Sequence, residues 1–290
     1  MRTLLLSLGL CLACAFQHLA AQSYVDFVEK SYEFLDKEDL PSAAESLKAA
    51  MRLEPGNPNN YALLMNLGTI QRRMGKPEEA LISYNAALGQ QPQNLLILEN
   101  RATLYTEMGE IEKAITDYNT ILSINPDHQE ALYCRGMLYL QQKLFVAAED
   151  DFERIVNINE RSIKGRFGYA ILEKLRGNYN ESERIFNYLI NEMPKAWYLY
   201  EGRADLYFMM GKNARAMADI NKVFIESTPS AMAAITKLFV ESEPTATLYV
   251  LRGKVKIAQY EKESAAQDFR KALEMGYDPK VIEELLKMTE

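Results

Sequence analysis

The side chains that most often carry out chemistry are sparse in this sequence of 290 residues, which holds only two histidines and three cysteines. His128 follows Pro126 and Asp127, and no cysteine, histidine or paired acid stands near it at the helical or turn spacing that a zinc site needs. It reads as a loop histidine facing solvent. Glu149, Asp150 and Asp151 are consecutive and read as a solvated helix face plus one aspartate at a repeat position. Beyond residues 1–21 the sequence holds no glycine-rich phosphate loop, no nucleophile elbow and no cysteine pair. Catalysis is therefore not expected, and no cofactor or metal is implied. A net charge of -7 with acidic residues scattered along the chain leaves no basic stripe for neutralising phosphates, which argues against a nucleic-acid partner. An apolar fraction of 48% is enough for a sizeable core.

The first residues form a targeting pattern. Met1 and Arg2 supply a positive start, Leu4 to Phe16 an apolar run, and Leu19-Ala20-Ala21 a small-residue exit. Residues 1–21 are expected to be a signal peptide cleaved after Ala21, which makes the protein exported and periplasmic. The alternative is an outer-membrane lipoprotein, because Leu12-Ala13-Cys14 resembles the end of a lipobox, although Cys11 stands where leucine is usual. Membrane association is expected only through a lipid on Cys14 or through a partner. Cleavage leaves Cys134 alone, so stability must come from packing and not from a disulfide. Between Tyr133 and Arg135 on a helical pattern, Cys134 reads as a small core hydrophobe.

The elements that position these residues recur every 34 residues. Leu98, Ala102, Tyr105, Gly109, Ala114, Tyr118 and Pro126 are followed in phase by Leu132, Gly136, Tyr139, Lys143, Ala148, Phe152 and Glu160. Copies are assigned to residues 24–57, 61–94, 95–128, 129–162, 163–196, 197–230 and 246–279. Each holds two apolar stretches of helical period around a turn such as Met108-Gly109-Glu110, where glycine accepts positive φ. Small residues at the eighth and twentieth positions let the two helices approach, and an aromatic at the twenty-fourth fills the remaining gap. Residues 231–245 break the register. Ser230 is expected to cap an added helix through Ala234, Leu238 and Val240, ending near Pro244. Residues 280–290 should form a closing helix with Val281, Ile282, Leu285 and Leu286 buried.

Charged positions repeat as well. Arginine occupies the seventh position of four copies, as Arg101, Arg135, Arg203 and Arg252. Aspartate occupies the twenty-third of the same four, as Asp117, Asp151, Asp219 and Asp268. This coincidence predicts ion pairs within each repeat, between its two helices; an unpaired row of arginines would instead bind anions.

The residues at these offsets resemble the signature of the tetratricopeptide repeat family. The resemblance implies an all-α, right-handed α-solenoid of about seven helix hairpins with a C-terminal capping helix, because one hairpin cannot cover its own apolar face. It also implies a groove lined by the second, fifth, ninth, twelfth and thirteenth positions of the first helices, which grips an extended peptide or a helix. Those positions include Tyr133, Met137 and Leu140 in the fourth copy, Phe167, Ile171 and Leu175 in the fifth, and Tyr198, Phe208 and Met209 in the sixth. The alternative is that these side chains pack on neighbouring helices. Val28, Tyr32, Met65, Thr69, Glu99 and Thr103 replace the lysines and asparagines with which some family members clamp a carboxylate. The expected function is a non-enzymatic protein-interaction scaffold of the bacterial cell envelope. The alternatives are an assembly factor for outer-envelope proteins or a regulatory subunit of an envelope enzyme.

Overall fold

The structure, a computed structural model, describes residues 23–290 apart from 227, 242 and 243. The expected signal peptide and Cys14 lie outside the described residues. Among the described residues there are sixteen helices and no strand. They are α1 (Tyr24–Asp36), α2 (Leu40–Leu53), α3 (Asn60–Arg73), α4 (Pro77–Gln90), α5 (Leu95–Glu107), α6 (Ile111–Ile124), α7 (Gln129–Gln141) and α8 (Phe145–Ile158). Then follow α9 (Ile163–Arg176), α10 (Tyr179–Glu192), α11 (Trp197–Met209), α12 (Asn213–Glu226), α13 (Thr228–Glu241), α14 (Ala246–Ala258), α15 (Lys262–Glu274) and α16 (Pro279–Lys287).

Local chemistry sets where these helices start and turn. Several first helices open on a side-chain cap. Ser23 and Asp26 form a capping box, and Asn94, Ser162 and Thr245 accept hydrogen bonds from the amides of Ile97, Gly165 and Leu248. The bend into each second helix needs a left-handed residue. Gly109 takes it with φ of 75°, whereas Lys143 at the same repeat position takes φ of 60° at a conformational cost of about 1–2 kcal/mol.

The chain forms two compact units that meet in sequence between Ala131 and Leu132, inside α7. The first is a stack of the α1–α2, α3–α4 and α5–α6 hairpins. Its leading core joins Ala43, Leu47 and Ala50 to Leu63, Leu67 and Ile70. The second holds α8 to α16 and the rest of α7. The twenty-fourth position is the anchor throughout: Tyr84, Phe152, Phe186 and Phe269 are completely buried. Phe152 shows why. A Cβ built on Gly136 would lie 2.6 Å from its ring, and one on Gly168 of the next repeat 2.5 Å, so the ring occupies notches on two helices that only glycine leaves open.

Two expectations need correction. The added helix α13 begins at Thr228, so Ser230 lies within its first turn and not ahead of it. With only residue 227 between α12 and α13, the connection that would close the sixth repeat has been absorbed into the new helix. In α16, Ile282 and Leu285 are buried, but Val281 is 37% exposed. One step from Ile282 turns it about 100° away from the contact with α15.

Candidate partner-binding cavity

The arginine at the seventh position and the aspartate at the twenty-third meet as two-pronged pairs in all four repeats. Arg101 donates to Asp117 through Nε at 2.8 Å and Nη2 at 2.7 Å. The equivalent distances are 2.9 and 2.5 Å for Arg135 with Asp151, 2.8 and 2.7 Å for Arg203 with Asp219, and 2.8 and 2.6 Å for Arg252 with Asp268. Hydrogen bonding to Asp117 holds the Arg101 guanidinium above its ordinary pKa. With their forks filled by buried carboxylates, these arginines act as struts between paired helices.

The guanidinium also has a third partner that the spacing argument missed. Arg101 Nη1 donates to Asn85 at 2.7 Å, and Arg203 Nη1 donates to Asn187 at 2.6 Å. Each asparagine sits at the twenty-fifth position of the preceding repeat, so the strut reaches across two repeats. A signal was available: Asn85, Asn119, Asn187 and Asn221 hold that position in the copies that precede the four arginine copies. At Arg252 the arrangement changes. Its guanidinium lies 3.8 Å from the centre of the Phe239 ring on α13, and Lys256 adds a 2.8 Å contact to Asp268.

The nine side chains assigned to a groove separate into three groups. Phe167, Ile171 and Tyr198 line a cavity of about 390 Å³ between α9, α11 and α13. Leu140 is buried, and Tyr133, Met137 and Phe208 are half-buried. Tyr133 packs towards Phe152 at 6.4 Å between ring centres, while Phe208 packs against the core formed by α11, α12, α13 and α14. Leu175 and Met209 are exposed but do not line the cavity. Family positions identify the face of a helix; what its neighbours cover decides whether that face is open. Phe167 is itself partly structural, packed edge-on against Phe186 at 6.0 Å and Tyr198 at 5.5 Å.

The far wall of the cavity comes from the added helix. Ala231 and Ile235 of α13 enter the core, which turns Ala233, Ala234 and Lys237 towards the cavity. Across it, Asp205 accepts from Lys174 of α9 on one oxygen and from Lys237 on the other. Burial pushes the Asp205 carboxyl up, but the two lysines outweigh it and hold it below the usual range. Glu201, one turn earlier on α11, shows the opposite balance: burial, and then the charge of Asp205, push its carboxyl up.

Two residues read as chemically inert also differ from expectation. His128 is half-buried, not exposed: its Nδ1 accepts from the Ala131 amide at 3.3 Å and lies 3.6 Å from Glu99. It caps the start of α7. Cys134 is half-buried, not a fully enclosed core residue.

Stacked helix hairpins with an apolar cavity on their first helices define a protein-interaction module of the α-solenoid class. Models described as TPR repeat and Tetratricopeptide repeat match residues 102–143 and 28–94. The crystal structure of a tetratricopeptide repeat protein from Parabacteroides merdae shares 66% sequence identity, covers 93% of this chain and 99% of its own, and superposes with a TM-score of 0.67. The chain belongs to the tetratricopeptide repeat family. Two distant structures share its fold alone. Pseudomonas aeruginosa pilF is 15% identical with a TM-score of 0.55, matched over 74% of this chain and 97% of its own. Yeast Tom70 is 12% identical with a TM-score of 0.57, matched over 87% of this chain and 58% of its own. No curated protein matches the sequence.

Proposed function

We propose that this protein is a non-enzymatic scaffold of the bacterial cell envelope that holds a partner through the cavity between α9, α11 and α13. The observation that carries the reading is the cavity itself, whose walls include Phe167, Ile171, Tyr198, Ala233 and Ala234. An open recess between helices, walled mainly by apolar side chains with a few charged groups among them, suits recognition of a partner segment. The location rests on the N-terminal targeting pattern, and the partner is a peptide or helix of another protein. A photo-cross-linking amino acid at Ala234 should capture the partner in the exporting compartment, whereas the same group at Val146, which is 70% exposed on α8, should not. Equal capture at both positions would reject the cavity as the docking place.

A further inference from the structure

We infer that this cavity is built to receive one basic side chain, a lysine or an arginine, carried by an otherwise apolar segment of the partner. The inference rests on the scaffold reading and adds the chemistry of the anchor. Four charged groups line the cavity: Lys174, Asp205, Lys237 and Glu201. Three of them are linked, because each oxygen of Asp205 takes one lysine. Glu201 is left over. Among the described residues it makes neither a hydrogen bond nor an ion pair, though it faces an apolar recess. A carboxylate in that position loses hydration without gaining a hydrogen-bonded partner, the nearby charge of Lys237 offsets only part of that loss, and an incoming cation would restore the balance.

The walls suit the rest of such a side chain. Ile171, Ala233 and Ala234 can cover an aliphatic stem, and the rings of Phe167 and Tyr198 offer the electron-rich surfaces that attract lysine and arginine heads. At about 390 Å³ the space is at the lower end of the roughly 300–1,000 Å³ typical of ligand pockets, enough for one long side chain and its flanks. Other occupants fit worse. An acidic anchor would meet Glu201 while both lysines are committed to Asp205. A purely apolar anchor would seal Glu201 away from water with no compensation. The chain's net charge of -7 also steers a basic segment towards it. The upward displacement of the Glu201 pKa agrees, since a bound cation would relieve it. Groups facing Glu201 that would respond with it are Asp205 on its own helix, Lys174 on α9 and Lys237 on α13.

The test pans a phage-displayed library of short random peptides against the full chain and against Glu201→Gln, with helical content checked by circular dichroism. Selected peptides should share a lysine or arginine flanked by apolar residues. Replacing that residue with uncharged citrulline or norleucine should weaken binding about tenfold for the native chain, but only slightly for Glu201→Gln. Peptides without a basic residue, or peptides that bind both chains equally well, would overturn the basic-anchor inference. If they still cross-link at Ala234, the scaffold reading stands. Failure to select any peptide that cross-links there would overturn both.

Discussion

The sixth and seventh repeats share one internal strut but treat the neighbour before them differently. In the sixth, Arg203 spans Asp219 of its own repeat and Asn187 of the preceding one, and Gly202 opens a notch for Phe186, whose ring would lie 2.7 Å from a Cβ there. In the seventh, the neighbour is α13. Arg252 still holds Asp268, but its open face stacks on Phe239, and Leu251, not glycine, fills the position of Gly202. Asn221, which stands where the cross-repeat asparagine would be, is exposed and its side chain makes no hydrogen bond among the described residues. The hairpin is thus the conserved unit within this chain. Its joint to the preceding element is rebuilt wherever that element changes, and here the rebuilding also supplied a wall for the cavity.

Removing the shared strut should cost most. Asp219→Ala and Asp268→Ala each leave a partly buried guanidinium unpaired, so each should lower unfolding stability by about 3–5 kcal/mol in urea titration. A loss below about 1 kcal/mol in either would break the claim that the two repeats share it. The notch position should then be sensitive to opposite changes of volume. Leu251→Ala should cost about 2–5 kcal/mol by opening a void in a side chain that is 3% exposed. Gly202→Ala should cost about 1–3 kcal/mol by adding one methyl against Phe186. Smallest of all, Asn187→Ala should cost about 1 kcal/mol through the lost bond to Arg203, and Asn221→Ala should stay within about 0.5 kcal/mol. Equal effects at Asn187 and Asn221 would erase the distinction between the two joints.

What the sequence revealed was whatever repeats. Phase alone identified the hairpins, the buried aromatics such as Phe152 and the pairing of Arg101 with Asp117, because each copy supports the others. Packing between copies was only half legible. The asparagines at the twenty-fifth position were visible as a pattern, yet their meaning needed the guanidinium's third donor; Gly168 and Gly202 at the sixth position occur in two copies only. The cavity was least legible. Helix direction put Phe167, Ile171 and Tyr198 on one face, but Leu140 and Phe208 share that face and are buried and half-buried by their neighbours. The wall that completes the cavity comes from α13, which has no counterpart elsewhere in the chain. His128 escaped notice as a cap because histidine is not among the residues that ordinarily signal a helix start.

The ring of Phe152 belongs to two repeats at once, lodged against Gly136 in one and Gly168 in the next. The fifth repeat has Tyr169 and Ile185 where others carry the charged strut, and such shared rings join ion pairs such as Arg176 with Glu149 and Lys174 with Asp205 in tying it to the hairpins on either side. Opening it alone would strip the cover from Phe152 and would leave Phe186 without its place against Gly202, so local fraying there is penalised from both directions. Amide hydrogen exchange from α8 through α11 should therefore proceed as one cooperative block, and a truncation made inside that block should lose more than the residues it removes.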